Sequence, residues 1–186
     1  MLPKIIAICG RKRSGKDTVA NHLCKLFGYK NVKISDQLKI VVKQLFNFTD
    51  NQVELDEKES IDIRWGVSPR QAMQFFGTEI MQYEIQKLIP NIGRLFWIRS
   101  FIERHIKSIN ENDRIIISDM RFLHEYEELK KYNIFVITLE RDHVCDHVCD
   151  HASEREYLDI PANLIIHNDG TLEELLIKID NTLSTE

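Results

Sequence analysis

A chain of 186 residues supports one compact domain with a sizeable core and is too short for two full ones. A formal net charge of −4, from 25 Lys and Arg against 29 Asp and Glu, with 43% hydrophobic residues, argues against general affinity for nucleic acid or an anionic membrane, so basic clusters serve local partners. No apolar run is long enough to cross a bilayer, and Met1-Leu2-Pro3-Lys4 leads into the first strand without a signal peptide, so the expected compartment is the cytoplasm.

The first strand, Ile5-Ile6-Ala7-Ile8-Cys9, runs into Gly10-Arg11-Lys12-Arg13-Ser14-Gly15-Lys16-Asp17-Thr18. Two glycines bracket four residues and a lysine follows, a spacing that lets backbone N–H groups converge on a polyphosphate while Lys16 reaches the β- and γ-phosphates. Val19, Ala20, Leu23, Cys24 and Phe27 then share one helical face, so a helix N-terminus points at the anion. The motif predicts a nucleotide binder, with Gly10, Arg13, Ser14, Gly15, Lys16, Asp17 and Thr18 as its contacts. Asp17 stands where Ser or Thr usually holds Mg²⁺; a carboxylate takes that ion directly or through water, and Thr18 is the alternative hydroxyl.

A short strand at Asn31–Ile34 follows, then Ser35-Asp36 as a helix cap and a helix to about Phe46 with Leu38, Val41, Val42 and Leu45 buried. Residues 47–68 are polar and acidic and read as a mobile excursion that could cover a substrate. Pro69 opens a third helix that stops near Pro90, and a fourth spans about 95–109. The run Arg114–Asp119 reads as a central parallel strand that delivers Asp119 to the sheet's ligand edge, like the second motif of NTPases. A helix at 123–131, strands at 134–139 and 164–166, and a last helix carrying Leu172, Leu175, Leu176, Ile179 and Leu183 complete an α/β pattern: a parallel five-stranded sheet with helices on both faces. Cys9 and Cys24 read as small core residues, and no disulfide framework is expected.

The blocks Ser68–Glu79 and Ile117–Glu125, with Gly15-Lys16-Asp17, Ser35–Lys39, His151–Glu154 and Asn168–Thr171, resemble the deoxynucleoside monophosphate kinases of phages and large DNA viruses, and the resemblance spans nearly the whole chain. It implies a P-loop kinase fold with a monophosphate-binding region at about 35–110 and a lid at about 141–158. It also implies ATP- and Mg²⁺-dependent phosphorylation of a dNMP to a dNDP, in the host cytoplasm for a viral protein, and it is compatible with a homodimer. His124 stands where Asn is usual in that family and Gln37 where Pro is common. A similar Lys-Asp loop in animal phosphomevalonate kinases leaves a small-molecule kinase as an alternative, and a non-catalytic nucleotide- or metal-binding module is another. The absence of an Asn-Lys-x-Asp run disfavours a GTPase switch.

Transfer to a monophosphate needs alignment and positive charge rather than a strong base, because the attacking phosphate oxygen is already ionised. Lys16, Arg141 and Asp119 are therefore the catalytic candidates, with Asp17 and Asp119 on the metal. Arg70 and Arg121 suit the acceptor phosphate, since a planar fork matches two oxygens; Gln74 and Thr78 would meet its base or sugar, with Asp36, Lys39 and Glu125 also on the substrate side. Each has a structural competitor: Asp119 as a helix cap, Arg121 paired with Glu125, Arg70 solvating a helix start. The tandem Asp142–His151 run, whose His and Cys residues would align on a helix, reads as a solvated lid in preference to a zinc site.

Overall fold

The computed structural model describes residues 2–141 and 156–184, so most of the expected lid, including the His/Cys run, lies outside the described residues. The chain forms two compact units: Ile34–Ser100, and the sequence before and after it.

The outer unit is built on five parallel strands, β1 (Ile5–Gly10), β2 (Lys30–Val32), β3 (Ile115–Ile117), β4 (Phe135–Glu140) and β5 (Leu164–His167), in the order β2-β3-β1-β4-β5. Every β1 residue is buried, which is why its sequence is continuously apolar: a central parallel strand is covered on both faces. On one face Ile6, Ile8, Ile116, Ile137 and Leu139 pack with Val19, Ala20 and Leu23 of α1 (Lys16–Phe27) and with Leu175, Ile179 and Leu183 of α7 (Leu172–Ser184). Ile5, Ala7 and Cys9 alternate to the other face and are equally buried. There the turn Glu156–Asp159, with Tyr157 buried, packs on β1 and against α6 (Leu123–Leu129). Cys9 and Cys24 are free thiols. No described helix is long and apolar enough to cross a membrane.

The inserted unit has its own small core, Val42, Phe48, Val53 and Ala72, with Leu38, Phe46, Met73 and Phe76 against it. These side chains come from α2 (Asp36–Phe46), α3 (Asp50–Glu54), α4 (Pro69–Gln74) and the segments that follow α2 and α4; α5 (Phe96–Phe101) leads back to the outer unit.

Residues 47–68, expected as an excursion, carry structure of their own. Thr49 and Gln52 form a reciprocal capping box on α3, Gln52 N donating to Thr49 Oγ1 (3.3 Å) and Thr49 N to Gln52 Oε1 (2.9 Å). Further on, the Asp62 carboxylate accepts from Arg64 Nε (2.9 Å), Arg64 Nη2 (2.7 Å) and Gln52 Nε2 (2.8 Å), which holds it in the ionised form well below the usual carboxylate range. The Trp65 indole donates to Phe46 O (2.8 Å). A polar sequence is ordered here by caps and an ion pair, neither of which has an apolar period.

The helix from Pro69 also departs from expectation. It is α-helical only to Gln74, continues as a π-helix over Phe75–Tyr83 and tightens to a 3₁₀ turn at Glu84–Lys87. Gly77, inside the wide segment, lies so close to α2 that a Cβ would come within 2.8 Å of Leu38 Cδ2. Gln74 stands one α-helical turn beyond Arg70, and Thr78 lies four residues further on, within the π segment.

The two faces of α1 set the first expectation. Leu23→Ala, at a fully buried position in the main cluster, should cost about 3 kcal/mol. Leu26→Ala, at a position 55% exposed on the same helix, should cost less than about 0.5 kcal/mol. Urea denaturation of both variants checks the assignment of faces.

Candidate active site

The site begins where β1 ends. Gly10 has φ 138°, and a Cβ there would lie 2.4 Å from Leu139 O on the neighbouring strand and 2.8 Å from Ser14 Oγ, so only glycine lets the chain leave the sheet at this point. The loop then turns through Arg13 (φ 66°) and Gly15 (φ 103°), and α1 starts directly after it at Lys16, which puts a helix N-terminus at the loop. Lys16 is only 8% exposed, and its Nζ donates to Gly10 O (2.7 Å) and Arg11 O (2.5 Å), which suspends the ammonium over the loop.

Arg13, Gly15, Lys16, Asp17, Thr18 and Arg141 line a cleft of about 340 Å³, completed by Asn168, Gly170, Leu172 and Leu175. A lining that combines cations and loop residues with two leucines suits a polyanion carrying an apolar group. Asp17 is exposed and paired with Lys33 Nζ at 2.9 Å; Ser14, named from the motif, is buried behind the lining. The lining residues after β5 had no assigned role in the sequence. The signal for them was their place beyond a strand's carboxyl end, where ligands gather in parallel sheets, but that β4 separates β5 from β1 is a tertiary fact.

Asp119, Arg121 and Glu125 follow β3, the strand on the other side of β1. Asp119 and Arg121 sit just beyond the strand, in the segment that leads to α6. Glu125, expected at the substrate, is buried, and its Oε2 accepts from the main-chain N–H of Arg121 (2.8 Å) and Phe122 (3.0 Å) at the start of α6. Burial pushes its carboxyl up to about 7; the two N–H donors oppose this, and the nearby Asp119 charge adds to it. The Cys9 thiol is pushed up to about 12, chiefly by burial, with Glu125 adding and Lys16 opposing. Cys9 is thus an inert core thiol that feels charges from both sides of the sheet edge.

The remaining candidates belong to the inserted unit. Arg70 Nε donates to Glu59 Oε1, and Lys39 Nζ sits 2.7 Å from Glu54 Oε2 and 3.6 Å from Asp36 Oδ1. Gln74 is exposed and Thr78 half-buried.

A glycine loop between the central strand of a parallel sheet and a helix, with a lysine held over it, defines a P-loop nucleotide-binding fold. The same fold is seen in dephospho-CoA kinase from Campylobacter jejuni (TM-score 0.54, 16% identity, 98% of each chain covered). It is seen also in shikimate kinase from Aquifex aeolicus (TM-score 0.51, 12% identity, 97% of this chain and 96% of that one). The chain belongs to the deoxynucleotide monophosphate kinase family, whose sequence profile matches residues 4–64 and 43–179. It is 30% identical over 142 residues to the deoxynucleotide monophosphate kinase of Enterobacteria phage T4, with 76% of this chain and 55% of that protein covered. A protein of Acanthamoeba polyphaga mimivirus, provisionally named for the same activity, is 29% identical over 181 residues, covering 94% of this chain and 93% of its own length. The chain thus spans nearly all of the mimivirus relative and about half of the phage kinase.

Glu125 gives a pH signature. Its folded-state value, about 7, lies above the ordinary 4.5, so the folded protein binds the extra proton and stability falls as pH rises through that window. Relative to wild type, Glu125→Gln, which keeps an acceptor for both N–H groups, should gain stability between pH 4.5 and 7, by up to about 3 kcal/mol. Urea midpoints of the two proteins at pH 4.5, 6 and 8 measure this, and a constant difference would refute the buried-carboxyl account.

Proposed function

We propose that this chain transfers the γ-phosphoryl group of ATP to the phosphate of a deoxynucleoside monophosphate, releasing ADP and the diphosphate. The observation that carries the reading is the loop lysine held over a glycine cradle at the mouth of a cleft, in a chain of this kinase family.

The loop N–H groups and the start of α1 bind the donor's phosphates. Lys16 exchanges its two carbonyl partners for phosphate oxygens and follows the transferred group, where its charge counts most in the transition state. Arg141, at the end of β4 on the rim of the cleft, adds charge from the side of the lid. Arg121 binds the acceptor phosphate, and no base is required because the attacking oxygen is already ionised; Arg70 is the inserted unit's candidate for the same role. Gln74, Thr78, Asp36 and Lys39 contact the acceptor's base or sugar.

The acidic residues fit Mg²⁺, which is ordinarily held by one or two carboxylates together with phosphate oxygens and water. Asp17 offers an exposed carboxylate on the first turn of α1 at the cleft, and Asp119 a second beyond β3. The ion, when bound, neutralises charge on the β- and γ-phosphate oxygens.

The deciding assay is ADP release by the full chain with ATP, Mg²⁺ and a panel of deoxy- and ribonucleoside monophosphates. Release no faster with any deoxynucleotide than without one would refute the reading. Lys16→Ala should lower kcat by roughly 10²- to 10³-fold with an unchanged circular dichroism spectrum. Arg121→Lys should reduce kcat/KM for the monophosphate by roughly 30- to 150-fold, since an ammonium cannot reproduce a bidentate fork. ATP affinity, titrated separately, should stay close to wild type in that variant; a loss there instead would move Arg121 to the donor side.

A further inference from the structure

Asn168 stands just beyond β5 and is 7% exposed. Its Nδ2 donates to Ser14 O at 2.9 Å, across 154 residues of sequence, and its backbone N donates to Glu140 O at 2.7 Å. The first bond lands on the phosphate loop and the second on the residue before Arg141. Gly15 is part of the fit, since a Cβ there would come within 2.9 Å of Asn168 Nδ2.

The bond to Ser14 O has a directional consequence. A trans peptide is planar, so its carbonyl and the following N–H point in opposite directions. Holding the carbonyl of the Ser14–Gly15 peptide on one side therefore aims the Gly15 N–H to the other, and convergent N–H groups are what a phosphate cradle consists of. Gly15, with its left-handed φ of 103°, lacks the Cβ that restricts most residues, so an external tether has more to do here than at an ordinary position.

We propose that Asn168, anchored to the end of β4 by its backbone N–H, is a positioning residue whose side chain sets the Ser14–Gly15 peptide of the phosphate loop and aims the Gly15 N–H at the nucleotide. The proposal rests on the reading of ATP as donor. Asn168 touches no reacting atom; it acts through the loop. Its amide orientation follows from the bond itself, because only the –NH₂ end can face a carbonyl oxygen.

The test combines amide hydrogen exchange of the full chain with separate titrations of ATP–Mg²⁺ and of a deoxynucleoside monophosphate, in wild type, Asn168→Ala and Asn168→Asp. In both variants exchange should quicken at residues 10–15, while the interior of β1 and β3 and the end of β4, which the backbone N of residue 168 still holds, keep their protection. ATP should bind roughly tenfold or more weakly, as for loss of a buried hydrogen bond, with monophosphate affinity unchanged. Asn168→Asp should be at least as weak as Asn168→Ala, because it sets a carboxylate against the Ser14 carbonyl. Faster exchange spread evenly over the sheet, or unchanged ATP affinity in the folded variants, would reduce Asn168 to general packing and overturn the proposal. If Asn168→Ala does not fold, Asn168→Ser carries the same comparison with a smaller cavity. Failure of the wild type to bind ATP would refute the donor reading alone, since the exchange pattern still decides whether Asn168 holds the loop.

Discussion

The approach of Leu139 O to Gly10 is the constraint on which the site depends. Parallel pairing of β1 with β4 places that carbonyl where a side chain on Gly10 would have to be, so the loop can leave the sheet only through a residue without a Cβ. From there five loop residues lead to α1, whose N-terminus at Lys16 follows directly on the loop. The same pairing orders the other contributors: β4 ends in Glu140 and Arg141 beside the loop, and β5, next in the sheet, delivers Asn168 to the far side of Ser14. The geometry of the phosphate loop is largely a consequence of strand order.

Charge at this edge is arranged by burial as much as by pairing. Lys16 keeps its ammonium in a nearly closed position because two loop carbonyls accept from it, whereas Glu125 is buried against two main-chain donors that only partly offset its desolvation. An isolated carboxylate in that place would be costly. Here it caps α6 and braces the turn that carries Asp119 and Arg121, so its cost is tied to ordering residues at the ligand edge.

The inserted unit is organised by different means. Its core is small, and much of its definition comes from reciprocal caps at Thr49/Gln52 and Ser68/Gln71 and from the Asp62–Arg64 pair. Arg70 and Lys39 lie on that scaffold with carboxylate partners, which sets their side chains in place on a framework of short helices.

The nucleotide loop, the order of strands and helices along the chain, and the buried face of α1 were legible in the sequence because each depends on neighbours within a few residues: the Gly10–Lys16 spacing, runs of β-branched residues, a helical apolar period. The short helix and ion pair within 47–68 are not legible because a five-residue helix held by caps leaves no hydrophobic period, and the change of pitch after Gln74 is hidden because a π segment has the same composition as an α-helix. Glu125 reads from the sequence as a substrate contact or as a partner for Arg121 four residues away, since i, i+4 spacing says nothing about burial. Asn168 stood in a motif without a role. Only the tertiary structure, by setting β4 between β1 and β5, decided that an amide 154 residues downstream of Ser14 would hold the loop, because hydrogen bonds between distant segments are determined by the order in which strands pair and leave no local pattern in the chain.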